Sequence, residues 1–532
     1  MLTLNESGLL NRQEWLNRGY KLPSFDRKAM MARTEEAPVW VHFGAGNIFR
    51  AFQCAAMQKL LETGKADTGI VAVEGFDYEI VEKGYRPNDN YTLLVTLKAD
   101  GKVEKTVIGS IAESCILDSG NQEEFEHLKK VFSSSSLQMA SFTITEKGYA
   151  VRDGQGRILP MIQADLEAGP NAAPESYLGK VAALLYARYQ AGGAPMAMVS
   201  TDNCSHNGEK LCQAITTFAE GWKDAGFLAY VTDPAKVSFP WTMIDKITPR
   251  PDASVEDMLR EDGLQGLDPV ITSKHTYIAP FVNAEESEYL VIEDAFPNGR
   301  PPLEAAGFLF TDRDTVNKVE RMKVTTCLNP LHTALAVYGC LLGYTRISDE
   351  MKDEDLVRLI RTIGYTEGLP VVTDPGVISP KEFIDTVVNV RLPNPFMPDT
   401  PQRIACDTSQ KVPIRFGETI KSYLADPARD INSLKAIPLA IAGWLRYLLG
   451  VNDEGQPFEV SPDPLLPMLQ EALRGIEFGK PETARGKLDA LLSDSSLFAT
   501  DLMKTPLAEK IQKNFEAMIE GPGQVRKTLQ QL

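Results

Sequence analysis

The chain has 532 residues, of which 43% are hydrophobic and 24% charged, and its formal net charge is −17. That length exceeds one ordinary core and predicts two domains, and the composition is that of a folded globular protein. The negative charge argues against nucleic acid or an anionic membrane as the main partner and leaves a small molecule, which one local basic pocket could still bind.

Residues 1 to about 35 read as a polar arm. The apolar run 39–43 then ends in Gly44-Ala45-Gly46, and a helical pattern follows over 48–63. The next apolar run, 69–73, ends at Glu74 and Asp77. Strand, glycine turn, helix, strand and acid is the order of a nucleotide-binding βαβ unit. Further strand-like runs lie at 91–97, 107–111, 139–144 and 195–200, with a helix at 177–190 before the last. Strands alternating with helices predict a mainly parallel sheet. Segment 286–307 carries Pro297, Gly299, Pro301 and Pro302 and reads as a connection. Beyond about 317 helical periodicity takes over, at 317–342, 355–363, 380–390, 415–424, 434–449, 465–476 and 507–519. The expected fold is an α/β Rossmann-like domain over 1–316 and a mainly α-helical domain over 317–532, with an active site between domains as the default.

Gly44 and Gly46 permit a tight turn and close approach of backbone to a pyrophosphate, with the next helix N-terminus supplying N–H donors. The third glycine of a GxGxxG pattern is replaced by Phe49. A glycine turn without a nucleotide is the bland alternative; the acids after the second strand favour the nucleotide. A carboxylate there would bind the adenosine ribose hydroxyls and repel a 2′-phosphate, which selects NAD over NADP. Asp77 is the first choice and Glu74 the second.

The stretch Lys323-Val324-Thr325-Thr326-Cys327-Leu328-Asn329-Pro330-Leu331-His332 sets polar groups inside an apolar helical pattern. Asn329 and His332 are three apart and share a face. Burying Lys, Asn and His together is costly unless they bind something; hydrogen bonding within the fold is the bland account of His332. Carbonyl reduction gives all three a use. A buried lysine can supply and remove the proton on the carbonyl oxygen, and an amide can donate to the developing oxyanion.

In these features the chain resembles the polyol-specific long-chain dehydrogenases, the mannitol dehydrogenase family, from about residue 39 to 465. The resemblance rests on motifs in order: His42 through Arg50; Asn90-Tyr91-Thr92-Leu93; Thr143 through Tyr149; Ser200-Thr201-Asp202-Asn203 with His206-Asn207-Gly208; Asp245 through Pro249; Lys323 through His332; and Arg403 through Lys411. It implies Lys323 as general acid/base, Asn203 and Asn329 as the oxyanion pair, and His332 as a substrate contact. It implies Asp245, Arg403 and Lys411 as substrate-binding residues, with Gly44, Gly46, Asn47, Ile48 and Phe49 in the cofactor turn. Thr145 and Glu146 would lie toward the nicotinamide. The cofactor is NAD and no metal is required.

Two departures stand out. The turn reads Ile48-Phe49-Arg50 where the family continues Phe-His-Arg. The family spacing from lysine to asparagine is five, and here it is six. On a straight α-helix, Lys323 and His332 are then about half a rotation out of phase, whereas a spacing one residue shorter leaves roughly 80°. The extra residue must be absorbed for Lys323 to serve. Pro330 cannot donate to the carbonyl of Thr326, so a π-bulge or kink is expected between Val324 and Pro330.

Within the family the pattern favours a uronate, D-fructuronate reduced reversibly to D-mannonate. Arg403, Lys411, Arg415 and Arg250 are available to neutralise its carboxylate. Mannitol/fructose and tagaturonate are the alternatives. Two readings of other classes stand beside these: an NAD-dependent glycosidase, for which Cys204-Ser205-His206 would be part of a metal site, and a non-catalytic NAD sensor. No convincing zinc-ligand cluster is evident. Seven scattered cysteines without a C-x-x-C pair, no leader-like N-terminus and no membrane-length apolar run predict a cytoplasmic enzyme, monomeric or weakly self-associating.

Overall fold

Runs of β-branched and aromatic residues that are buried on both faces build the centre of the first unit, as a parallel sheet covered by helices requires. In the computed structural model, which describes residues 1–250 and 253–532, the chain divides into two units. One is Met1–Lys98 with Lys102–Asn317, and the other is Ala99–Gly101 with Lys318–Leu532.

The first unit holds a six-stranded sheet of β1 (Trp40–Phe43), β2 (Ile70–Glu74), β3 (Ile111–Ile116), β4 (Met139–Phe142), β5 (Met196–Ser200) and β6 (Val237–Ser238). Its spatial order is β3-β2-β1-β4-β5-β6 and every pair is parallel. That is the order of a doubly wound dinucleotide-binding sheet, whose ligands lie at the carboxyl ends of the strands where the order reverses, here β1 and β4. Alternation along the strands fills two cores. Val41, Phe43, Val71, Val73, Ala140 and Phe142 face one way, and Trp40, Ile70, Ala72, Met139, Ala197 and Val199 the other. The helices flanking this sheet include α1 (Cys54–Glu62), α2 (Gln122–Ser133), α3 (Tyr177–Gln190) and α4 (Asn207–Gly221).

Three expectations change here. Residues 1–35 are not a loose polar arm: Leu2, Leu4, Trp15, Tyr20 and Met30 are buried, and Tyr20–Lys21 pairs with Val103–Ile108 as a sheet edge. The run at 91–97 does not join the parallel sheet, and that at 107–111 does so only at Ile111, where β3 begins. Thr92–Leu97 and Val103–Ile108 form an antiparallel pair in a separate four-stranded sheet, turning at Gly101, whose φ of +83° suits glycine. Segment 286–307 is more than a connection, since Tyr289–Glu293 pairs antiparallel with Thr242–Asp245.

The second unit is helical. Its centre is α5 (Asn329–Leu342), α6 (Ala436–Tyr447) and α7 (Leu507–Ile519). All twelve residues of α6 are buried, and Gly443 is where the Tyr338 ring crosses, since a Cβ there would come within 2.5 Å of it. Buried Glu367 caps the start of α6, accepting from the backbone N–H of Lys435, Ala436 and Ile437 at 2.6–2.8 Å. Four helices of this unit carry a π turn: Lys323–Cys327, Thr362–Gly368, Val387–Arg391 and Pro413–Gly417. Among the described residues no helix is long and apolar enough to cross a membrane.

Candidate active site

The glycine turn closes β1. Gly44 has φ +100°, and a Cβ there would lie 2.1 Å from the carbonyl oxygen of Thr143, so glycine is required by both backbone and packing. Gly46 differs: a Cβ there would meet nothing within 4 Å. Protein packing does not demand that glycine. The space above it opens into a cleft of about 280 Å³ whose walls include Asn47, Ile48, Arg50, Tyr85, Thr145 and Asp202. The helix begins at Asn47, so its first N–H groups face this end of the sheet. Buried Arg50 is fixed beneath the turn, donating to the carbonyl of Ala279 at 2.8 Å and to Asn47 Oδ1 at 2.7 Å. An open glycine, a helix start and a guanidinium together fit a pyrophosphate. Arg50 had no assigned role in the sequence reading; its place four residues after Gly46, inside the helix, was the available signal.

Glu74 and Asp77 do not line this cleft. Glu74 is spent on the turn itself: Oε2 accepts from Ala45 N–H at 2.9 Å, and Oε1 from the N–H of Phe76 and Asp77 at 2.8 and 3.0 Å. Asp77 is buried and its Oδ2 accepts from the Thr272 hydroxyl at 2.6 Å. Phe49 turns inward and stacks on the His42 ring at 4.2 Å between centroids.

The far wall is organised by Asp202, also missed by the sequence reading. Its carboxylate accepts from the N–H of Ile144 and Thr145 at 2.9 Å each and from the Tyr149 hydroxyl at 2.5 Å. Burial raises the pKa of this carboxyl, and those three donors oppose the rise. They hold Thr145 at φ +65° on the cleft wall. Glu146 points outward instead and pairs with Lys210 at 2.7 Å. Asn203, the next residue after Asp202, is exposed; Asp245 is buried at the end of its strand; Arg250 is exposed.

In the second unit the anticipated bulge is present. Leu328 N–H donates to the carbonyl of Lys323 at 3.2 Å, a π-type bond five residues back. Leu328 then leaves helical geometry at φ −127°, and α5 restarts with Asn329 and Pro330. The extra residue between Lys323 and Asn329 is absorbed in this turn. Its loosened backbone is tied by the Thr419 hydroxyl, which donates to the Thr325 carbonyl at 3.4 Å. Lys323 is buried and Asn329 half-buried.

His332 lies one turn into α5. Burial lowers its pKa to about 4; Asp399 opposes this, and Arg415, Arg391 and Arg403 reinforce it. Its Nε2 has no hydrogen-bond partner and is 3.6 Å from Asp399 Oδ2. Asp399 pairs with Arg403. Arg415 donates to the Thr333 hydroxyl at 2.5 Å, and burial lowers its pKa to about 10. Arg391 is buried. Lys411 donates to the carbonyls of Ile404 and Cys406, closing the turn after Arg403. Three guanidiniums therefore bear on His332 against one carboxylate, and Arg391 and Arg415 stand, like Lys323, on π turns.

Among the described residues Cys204 and His206 belong to no group of three side chains with converging ligand atoms, and His206 stacks on Trp241 at 4.3 Å. Among the described residues the one group of His, Cys and acid side chains with converging ligand atoms is Glu113, Cys115 and His127. The sequence reading passed over it, because its members lie on a strand and a later helix.

Comparison with known proteins agrees with this architecture. Residues 39–305 match the family profile for the mannitol dehydrogenase Rossmann domain, and residues 315–519 that for the mannitol dehydrogenase C-terminal domain. The D-mannonate oxidoreductase of Thermotoga maritima is 51% identical, over 100% of this chain and 99% of that protein. A substrate-free D-sorbitol dehydrogenase crystal structure superposes with a TM-score of 0.77 at 26% identity, covering 97% of each chain. The mannitol 2-dehydrogenase of Pseudomonas fluorescens, solved in ternary complex with NAD and D-mannitol, gives 0.67 at 26% identity, covering 100% of this chain and 99% of that one. With both domains matched in order and a full-length relative at this identity, the chain belongs to the mannitol dehydrogenase family and is an oxidoreductase of CH–OH groups.

Proposed function

We propose that this protein is a cytoplasmic, NAD-dependent dehydrogenase that interconverts D-fructuronate and D-mannonate. The observation that carries the choice of a uronate is the charge around His332. Arg391, Arg403 and Arg415 help to lower its pKa, and Asp399 opposes them. Arg403 is held by Asp399 and Arg415 by the Thr333 hydroxyl, and a substrate carboxylate would add to this cluster a charged partner that a neutral polyol lacks. The T. maritima relative, by name a D-mannonate oxidoreductase, supports the same substrate.

The turn Gly44, Gly46, Asn47, Ile48 and Phe49 holds the pyrophosphate, with Arg50 offsetting its charge. Thr145, on the cleft wall, borders the nicotinamide side; Asp77 and Glu146, held by Thr272 and Lys210, take no part. When bound, the cofactor supplies the hydride in reduction and accepts it in oxidation. Lys323 gives a proton to the substrate oxygen in reduction and takes it back in oxidation. Asn329 and Asn203 donate amide hydrogen bonds to that oxygen while it carries negative charge. His332, neutral because its pKa is near 4, holds a substrate hydroxyl through Nε2. Asp245, Arg403 and Lys411 bind further substrate oxygens, and Arg415 with Arg391 takes the carboxylate.

The test follows NADH absorbance with D-fructuronate, D-tagaturonate and D-fructose in parallel, with chelator present. Turnover preferring fructuronate, lost in Lys323→Ala, is expected. Preference for fructose moves the protein to the mannitol branch and overturns the role given to the arginines. Turnover without net change in NADH favours an NAD-dependent glycosidase, and NADH binding without any turnover favours a sensor.

A further inference from the structure

Strand β3 is an edge of the parallel sheet, two strands from β1 and its glycine turn. Ile70 pairs with Ile111, but Val71 pairs with Glu113, so Ala112 is an extra residue in the ladder. Beyond that irregularity Glu113 and Cys115, two apart, project to one face of the strand, and His127 comes to the same place from α2. One ligand atom from each of the three lies within 4.8 Å of the others. His127 Nε2 is 3.1 Å from both carboxylate oxygens of Glu113. The Glu113 and His127 side chains are 35% and 39% exposed, which leaves an approach from solvent, while Cys115 is 3% exposed and forms the floor.

We propose that Glu113, Cys115 and His127 form a binding site for a divalent cation of the zinc class, which fastens the edge strand to α2 and takes no part in hydride transfer. One sulfur, one imidazole nitrogen and one carboxylate oxygen are a mixed donor set that suits zinc, whereas magnesium and calcium favour oxygen alone. Water completes the fourth position. The bonds formed are metal–sulfur, metal–nitrogen and metal–oxygen. The Cys115 thiol proton, and the His127 proton where the ring is charged, pass to solvent. In the metal-free protein the hydrogen bond to Glu113 raises the His127 pKa, and burial raises that of the Cys115 thiol. The other charged groups that act on the two are Glu124, Arg86 and Lys130. Glu124 is already held by the N–H of Ile116 at 3.0 Å and by Arg86, so it orients the site from outside. Neither the family nor the proposed reaction calls for this site, and chelation should leave turnover intact.

The test uses the full chain stripped with chelator and titrated with Co²⁺ and then Zn²⁺. One equivalent of Co²⁺ should give a thiolate-to-cobalt charge-transfer band with the strong visible absorption of a tetrahedral centre, and Zn²⁺ should displace it and raise the melting temperature. His127→Gln and Glu113→Gln should weaken binding at least about tenfold, and Cys115→Ala should abolish the charge-transfer band. The first two side chains are partly exposed and carry the test if the cysteine variant fails to fold. A cobalt spectrum without the thiolate band overturns the assignment. So does zinc stabilisation of equal size in wild type and His127→Gln.

Discussion

His42 and His332 are two buried, neutral histidines with opposite situations. Burial lowers the pKa of His42 to about 3 and that of His332 to about 4. His42 is satisfied by the fold: Nδ1 lies 2.6 Å from the Ser141 hydroxyl, Nε2 lies 2.5 Å from that of Thr143, and Phe49 covers its face. His332 leaves Nε2 without a hydrogen-bond partner among arginines. Burial and pKa are therefore shared by a brace and the proposed binding group; completeness of the hydrogen bonding separates them. The backbone does not separate them: Arg50 beside the glycine turn stands on the π turn Phe49–Gln53, and Lys323, Arg391 and Arg415 stand on π turns of the second unit, a frequent mark of functional sites.

The largest expected effect is at Lys323. Lys323→Ala should lower kcat by about 10²–10⁴-fold, the range for a general acid/base, with NADH affinity and melting temperature little changed. A kcat within a factor of a few of wild type would remove the lysine from proton transfer and leave its π turn as a folding feature only.

Next is the carboxylate. Arg415→Met should raise KM for D-fructuronate about tenfold to a hundredfold, the weight of a charge-assisted hydrogen bond, and leave any turnover of D-fructose unchanged. Equal losses on both substrates would show that Arg415 supports the site through its bond to Thr333. Compared directly, His42→Ala should cost about 2–3 kcal/mol in urea unfolding, because it takes a partner from the Thr143 hydroxyl, leaves that of Ser141 with Trp40 alone, and opens a cavity. His332→Ala should instead lose kcat/KM with a smaller stability cost. The reverse pattern would dissolve the distinction between the two histidines.

The strand–glycine–helix unit was legible because its alternation and turn chemistry are local. The π turn was legible for a less common reason: one residue too many between Lys323 and Asn329 had to go somewhere, and Pro330 weakens the helix beside it. What stayed hidden depends on distant partners. Leu2, Leu4 and Trp15 are too sparse to show a period, yet they pack against the first unit. Asp77 was preferred to Glu74 for the ribose, and only the fold shows that three backbone N–H groups occupy Glu74 and that the Thr272 hydroxyl holds Asp77. Asp202 stands in a motif that says nothing of its bonds, and Arg391 in none; their places come from the loops and helices that gather around them.

The last expected effect extends the comparison to stability. Glu350 is fully buried, neither carboxylate oxygen has a hydrogen-bond partner, and burial raises its pKa to about 9. It fits only because residue 339 is glycine, where a Cβ would lie 2.0 Å from Oε1. The folded state keeps this carboxyl protonated while the unfolded state releases the proton above its ordinary value of 4.5. Its contribution therefore falls as pH rises from about 4.5 to about 9, by about 1.4 kcal/mol per pH unit. The two histidines act at the other end. Their folded pKa values lie below 6.5, so stability falls as pH drops from about 6.5 toward 4, with the same slope for each. Glu350→Gln should remove the alkaline slope, leave the acid one, and show its gain at pH 8 rather than pH 5 in urea unfolding. An unchanged alkaline slope would mean that Glu350 is ionised in the folded protein and has found a counter-charge.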